Sequence, residues 1–138
     1  MILKNVEALL GARSFVSLSP ETTVRAASRA MAQANERAAL VTDDGRVAGI
    51  LSERDIVHDC LGQGMDPDTT TVAAVMTADP ITIDAADTVA HAIEKMLEGG
   101  FHHLPVLKAG APIGTIYSDD IPEEYRLLLE HFRELRQP

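Results

Sequence analysis

The chain has little aromatic character and almost no cysteine: it contains no tryptophan, three phenylalanines, two tyrosines and one cysteine. An aromatic platform on which a planar ligand could stack is therefore poorly supplied. The single cysteine, Cys60, cannot form an internal disulfide, which fits a reducing compartment. Positive charge is also scarce, with 12 Lys and Arg against 21 Asp and Glu and a net charge of −9. This balance argues against a nucleic-acid polymer or an anionic membrane as a partner, because both require a basic face.

Long apolar runs are absent as well. No segment approaches the length of a membrane span, and the N-terminal Met-Ile-Leu-Lys is too short an apolar run for a signal peptide. We therefore expect a cytoplasmic protein. The 138 residues suit one ordinary domain, and a hydrophobic content of 46% is enough to bury a core.

The chain repeats itself. Residues 15–57 align without a gap on residues 80–122, which is a shift of 65 positions. Nine of the 43 aligned positions are identical: Thr23/Thr88, Val24/Val89, Ala27/Ala92, Met31/Met96, Val41/Val106, Gly45/Gly110, Gly49/Gly114, Asp55/Asp120 and Ile56/Ile121. Two copies are too few for a solenoid, so the pattern predicts an α/β protein of two lobes related by a pseudo-twofold axis.

Each copy predicts the element order β-α-β-β-α. Thr22 and Asp87 are matched candidates for the N-cap of the first helix, because their side-chain oxygens can accept from free N–H groups. Apolar residues then recur at helical spacing, followed by two short apolar strands joined by a Gly-containing turn and by a second helix. The strand pairs are 38–42 with 47–52 and 103–107 with 113–118.

The remaining segments separate and flank the copies. The predicted boundaries are 1–61 for the first repeat with its lead-in, 62–71 for the linker, 72–121 for the second repeat and 122–138 for a C-terminal helix. Residues 72–76 and 2–10 are expected to be short helical lead-ins, the latter ended by Gly11. The last helix carries one apolar stripe, made of Tyr125, Leu128, Leu129, Phe132 and Leu135. This stripe either packs on its own module or forms an interface between two copies of the chain.

The repeat, together with the segments GILSERDIV (49–57), VMTADPITI (75–83) and FHHLPV (101–106), resembles a tandem pair of CBS domains, named after cystathionine β-synthase. The resemblance covers roughly residues 2–122. It implies two repeats that pack through their sheets and leave two clefts between them. Modules of this family typically bind adenosine-containing ligands, namely AMP, ADP, ATP, S-adenosylmethionine or NAD(H), and regulate another protein.

Ser52 and Asp55 allow two interpretations. Their spacing fits a capping box, in which serine and the acidic residue satisfy each other's backbone N–H groups at a helix start. The resemblance instead assigns ribose binding to Asp55 and phosphate contact to Ser52. In the second copy Asp120 remains, but Tyr117 replaces the serine and Asp119 adds a negative charge. Ser118 could supply the hydroxyl there, one residue out of register.

Candidate cations for phosphate lie at the start of the second strand of each copy. The H-x-L-P strand start of the family matches His102 and His103, and Arg37 occupies the position of His102 in the first copy. Arg54 is a further candidate, and a solvated surface charge is an equally good interpretation. Adjacent histidines on a strand point to opposite faces, so no tightly bound metal is expected.

Adenine would lie between aliphatic side chains rather than aromatic rings. Candidates for the adenine-binding walls are Val16, Leu18, Ala38, Ala39 and Ile50. Periodicity alone does not distinguish these residues from core residues.

The sequence shows no sign of catalysis, since it lacks a Gly-rich phosphate loop and a nucleophile elbow. We therefore expect a non-enzymatic regulatory module that binds an adenosine nucleotide, forms a homodimer and signals ligand occupancy to a partner protein. The alternatives are a ligand-free dimerisation scaffold and, with less support, a small nucleotide-processing enzyme.

Overall fold

The computed structural model describes residues 5–136, apart from the side chains of Leu129, Phe132, Arg133 and Arg136. The first copy with its lead-in comprises α1 (Val6–Leu10), β1 (Ser17–Leu18), α2 (Val24–Ala34), β2 (Ala38–Asp43), β3 (Arg46–Ser52), a π-helix (Asp55–Cys60) and a 3₁₀-helix (Leu61–Gln63). The second copy comprises α3 (Val72–Val75), β4 (Thr77–Ala78), β5 (Ile83–Asp84), α4 (Val89–Gly99), β6 (His103–Lys108), β7 (Ala111–Tyr117), a 3₁₀-helix (Ser118–Asp120) and α5 (Glu123–Arg136).

Each copy forms its own sheet. The first sheet has the order β1-β2-β3-β4 and the second has the order β5-β6-β7. In both, the first strand lies parallel to the next and the following two form an antiparallel hairpin. The mixed α/β architecture with two repeats and a C-terminal helix is therefore confirmed.

The lead-in segments cross over, so that each packs on the other copy. In α1, the Val6 N–H donates to the Asp87 carbonyl at 2.9 Å, and the Glu7 N–H donates to the Ala85 carbonyl at 2.9 Å. In α3, the Val72 N–H donates to the Thr22 carbonyl at 2.8 Å. This exchange joins the two lobes into one body.

Two matched glycines make the crossover possible. A Cβ atom at Gly49 would overlap the Met76 side chain and lie 2.9 Å from the Thr77 carbonyl oxygen, and one at Gly114 would lie 2.8 Å from the Leu10 side chain. Met76 and Leu10 belong to the two lead-in segments, so this repeated glycine is required by close packing rather than by a turn.

The N-caps of α2 and α4 lie one residue later than predicted. Thr23 and Thr88, not Thr22 and Asp87, have extended backbones and accept from the N–H groups of Ala26 at 3.2 Å and His91 at 3.0 Å. An N-cap side chain accepts from the N–H group two or three residues further on, and in α2 and α4 the two threonines are the residues that do so.

The second copy lacks the full second helix that its repeat pattern predicts. A single 3₁₀ turn, Ser118–Asp120, is followed by Ile121 in an extended conformation with φ −83° and ψ 126°. Pro122 causes this break, because the residue before a proline is disfavoured in the helical region. The chain then continues directly into α5.

Hydrophobic cores lie under the helices of each copy and between the two sheets. The core of the first copy includes Val24, Met31 and Leu51, and that of the second includes Ile93, Leu104 and Ile116. A third cluster joins the copies and consists of Ala38, Leu40, Ile50 and Tyr117, with Phe15 and Val47 packed against it. No helix within residues 5–136 is both long and apolar enough to cross a membrane.

Candidate functional site

Asp55 stands at the first position of the π-helix that follows β3. Its Oδ2 accepts from the Ser52 N–H at 2.8 Å, and the Ser52 Oγ accepts from the Asp55 N–H at 3.2 Å. The capping box is therefore present. The second carboxylate oxygen, Oδ1, has no hydrogen-bond partner among residues 5–136. Capping thus occupies one oxygen of Asp55 and leaves the other available.

A cavity of about 220 Å³ lies between the two copies. It is lined by Ile50, Thr77, Asp79, Pro80, Ile81, Phe101 and His103. Ile50 comes from β3. Thr77, Asp79, Pro80 and Ile81 come from the segment that starts with β4 and leads to β5. Phe101 precedes β6, and His103 is the first residue of β6. The cavity combines aliphatic walls with a few polar groups, as small-molecule sites generally do.

His103 connects this cavity with Asp55. Burial lowers the pKa of the His103 imidazole below its ordinary value, and the nearby Asp55 carboxylate acts in the opposite direction. A carboxylate and an imidazole therefore lie within electrostatic reach of each other at the cavity. An anionic group bound there would favour the protonated imidazole.

The other predicted cations are placed differently. His102 is exposed, and its Nδ1 lies 3.5 Å from the Ser118 Oγ, on a separate groove beneath α4. Arg37 donates to Asp119 at 2.7 Å, and this hydrogen bond raises the pKa of Arg37 and lowers that of Asp119. Arg54 is exposed, and its side chain makes no hydrogen bond or ion pair within the described part of the chain.

The surroundings of Asp120 differ from those of Asp55. Arg13 donates through Nη1 to Asp120 Oδ1 at 2.8 Å and through Nη2 to Oδ2 at 3.0 Å. The Tyr117 N–H also donates to Oδ2, at 2.7 Å. Both oxygens of Asp120 are therefore occupied by groups of the protein itself.

Tyr117 is buried next to this carboxylate. Its hydroxyl donates to Glu36 Oε2 at 2.7 Å, and the Arg37 guanidinium lies 4.5 Å from the centre of its ring. Burial, followed by the Glu36 hydrogen bond, raises the pKa of the Tyr117 hydroxyl well above its ordinary value. The phenol therefore stays neutral and acts as a hydrogen-bond donor.

The five aliphatic residues that the sequence suggests for adenine binding lie in three different places in the structure. Val16, Leu18 and Ala39 belong to or pack against the core of the first copy. Ala38 lies in the cluster between the sheets. Ile50 belongs to that cluster and also lines the cavity.

The sequence pattern did not indicate the other five residues that line the cavity: Thr77, Asp79, Pro80, Ile81 and Phe101. They lie in the segments used to recognise the repeats, but only the crossover of the lead-in brings them to β3. Asp79 has a positive φ of 47°, which is uncommon outside glycine and is often found near functional sites.

Within residues 5–136, no three His, Cys, Asp or Glu side chains are grouped in a way that could hold a metal ion.

Comparison with known proteins identifies the class of this module. The family model for the CBS domain matches residues 6–62 and 72–126. The chain therefore belongs to the CBS domain family, as a tandem pair, and this confirms the resemblance seen in the sequence. CBS domain pairs are regulatory modules that often bind adenosine ligands.

Individual relatives support the assignment. The CBS domain-containing protein CBSCBSPB3 of Arabidopsis thaliana is 36% identical over 96 residues, which is 69% of this chain and 17% of that protein. The chain thus spans less than a fifth of that relative's length.

Two solved structures match over nearly their whole length. The CBS domain protein NE2398 has a TM-score of 0.77 and 32% identity, covering 85% of this chain and 93% of that one. PAE2072 from Pyrobaculum aerophilum, solved in complex with AMP, has a TM-score of 0.80 and 26% identity, covering 92% and 98%.

Proposed function

We propose that this CBS pair binds an adenosine-containing nucleotide in the cavity beside Asp55 and transmits its occupancy to a partner protein. The observation that carries the proposal is the free Oδ1 of Asp55, a carboxylate that acts electrostatically on His103, which lines the cavity between the two copies. The complex of PAE2072 with AMP supports adenosine as the ligand class.

The chemistry of the cavity suits the three parts of a nucleotide. The free Asp55 oxygen can accept from a ribose hydroxyl, and this is a charge-assisted hydrogen bond. Ile50, Pro80 and Ile81 offer aliphatic surface for the two faces of adenine. His103 and the Ser52 hydroxyl are donors for phosphate oxygens.

Signalling requires that the nucleotide bind two conformations with different affinity. The cavity is formed by segments of both copies, so a ligand inside it contacts β3 of the first copy and the β4–β5 segment of the second. A bound nucleotide therefore affects the relative orientation of the two copies. The linker, the N-terminal segment and α5 are the segments through which a partner would sense this.

A dimerisation scaffold that needs no ligand is the second candidate function. It is favoured by the exposure of three leucines of α5, Leu127, Leu128 and Leu135, which are between 57% and 68% exposed. Large apolar side chains left in water on one helix suit an interface with a second copy.

Thermal unfolding with AMP, ADP, ATP, NAD⁺ and S-adenosylmethionine tests the proposal and separates these candidates. A ligand at 100 times its dissociation constant adds about 2.7 kcal/mol to the free energy of unfolding. We expect at least one of these compounds to stabilise the wild type and to stabilise Asp55→Asn less. Asp59→Asn, which removes the same charge from an exposed position of the same π-helix, is the matched control and should respond like the wild type. If no compound stabilises the protein at millimolar concentration, the scaffold is favoured instead.

A further inference from the structure

The two clefts of this protein are not equivalent, although the repeat places an aspartate at the same position in both. Asp55 retains a free carboxylate oxygen, whereas both oxygens of Asp120 accept hydrogen bonds from Arg13 and Tyr117. The repeat register allows the rest of each cleft to be compared position by position.

Residues that line the open cavity of the first cleft have counterparts that contact Tyr117 in the second. His103 corresponds to Ala38, whose carbonyl lies 3.5 Å from the Tyr117 hydroxyl. Phe101 corresponds to Glu36, which accepts from that hydroxyl at 2.7 Å. Tyr117 itself corresponds to Ser52, so a phenol ring takes the place of a small hydroxyl side chain.

Pro80 and Ile50 complete the comparison. Pro80 corresponds to Phe15, which packs against the cluster that contains Tyr117. Ile50 corresponds to Thr115, whose carbonyl accepts from the Arg13 Nη2 at 3.3 Å. The space that is a cavity in the first cleft is thus occupied by Tyr117 and bounded by Arg13 in the second.

Arg13 is held firmly in this position. Its Nε donates to the Leu10 carbonyl at 3.2 Å, while Nη1 and Nη2 form a two-point contact with Asp120. The guanidinium presents its donors in a planar fork that matches a carboxylate, so this pair is geometrically specific. A ribose would have to compete with it for the Asp120 carboxylate.

We infer that Tyr117 and Arg13 act as built-in occupants of the second cleft, so that each chain binds one adenosine nucleotide, at Asp55, and not two. This inference rests on the proposed nucleotide binding and adds its stoichiometry. Tyr117 takes up the space of the ligand, and Arg13 takes up the hydrogen-bond acceptors of Asp120.

Isothermal titration calorimetry with AMP tests the inference. We expect one AMP per chain for the wild type and two per chain for the variant Arg13→Ala/Tyr117→Ser, which gives the second cleft the serine found in the first. Tyr117→Phe is the matched control: it keeps the ring and should stay at one AMP per chain. Circular dichroism and a cooperative melting curve establish that each variant is folded.

The possible results separate the inference from the proposed function. Two AMP per wild-type chain, or only one in the folded double variant, would overturn the inference while nucleotide binding stands. No binding by the wild type and one AMP in the double variant would show that Tyr117 and Arg13 block the second cleft, but it would overturn both the count of one AMP per wild-type chain and binding at Asp55. No binding in either folded protein overturns both. Should the double variant not fold, the wild-type count still decides, because one AMP supports the inference and two exclude it.

Discussion

Asp55 has two tasks that use different oxygens. One oxygen caps the Ser52 N–H at the start of the π-helix, and the other faces no partner among the described residues. The structural and the ligand-binding interpretation of this residue therefore do not compete. In Asp120 the same capping contact is present, but Arg13 donates a hydrogen bond to each of the two oxygens. One residue type at one repeat position thus has two different chemical surroundings.

His103 makes stability depend on pH. Its pKa is lowered by burial from an ordinary value of 6.5, so the folded protein holds the neutral imidazole where the unfolded chain is already protonated. Because the unfolded state then binds more protons, the free energy of unfolding falls as the pH decreases below about 6.5. We expect this loss of stability between pH 7.5 and pH 5.5 to become smaller in His103→Gln.

Urea unfolding at the two pH values measures the effect. His58→Gln, an exposed histidine on the π-helix, is the control and should keep the wild-type difference. An equal pH dependence in His103→Gln and the wild type would show that burial of this imidazole has no energetic consequence. AMP should reduce the dependence as well, since a phosphate near His103 favours its protonated form.

At the scale of elements, the sequence pattern predicts the hairpin strands and the first helix of each copy, because burial repeats with a local period, but it does not predict β4. Val24, Ala27 and Met31 are buried in α2, and Val89, Ala92 and Met96 are buried in α4, at the spacing used to predict both helices. Local patterns could not show that the lead-ins cross over, because this depends on contacts between residues distant in sequence.

The same distinction holds for the site. Asp55, His103 and Ile50 could be named from the sequence, since they stand at recognisable repeat positions. The Arg13–Asp120 pair joins residues 107 positions apart, and no periodicity connects them. The repeat pattern predicts a full second helix in the second copy, but Pro122, which corresponds to Val57 in the first copy, ends it after one turn.

The C-terminal helix is the element that we expect to join two copies. Tyr125 packs against the core of the second copy, while Leu128 and Leu135 are 57% and 68% exposed. Burying a large aliphatic side chain contributes about 1.5–3 kcal/mol. Leu128→Glu with Leu135→Glu should therefore convert a homodimer into a folded monomer, as measured by multi-angle light scattering at micromolar concentration.

A suitable control for this prediction is Ala74→Glu with Ala111→Glu, which adds the same charge at two exposed alanines away from α5. The control should remain a dimer. A monomeric wild type would contradict the prediction, and a dimer that survives both leucine substitutions would place the interface on other helices.

At the scale of the whole molecule, the crossover of the lead-ins makes the two lobes interdependent. The cavity beside Asp55 has walls from β3 of the first copy and from segments of the second, so neither copy alone forms it. Its pseudo-symmetric counterpart is filled by Tyr117. The two copies therefore form one open cleft, beside Asp55, and one cleft that is filled by the side chain of Tyr117.

The crystal structure of the protein grown with AMP tests this account most directly. We predict one AMP per chain in the cavity lined by Ile50 and Ile81, with a ribose hydroxyl within hydrogen-bond distance of the Asp55 Oδ1 and the Arg13–Asp120 pair intact. AMP bound at Asp120 with Arg13 displaced, while the Asp55 cavity stays empty, would contradict it.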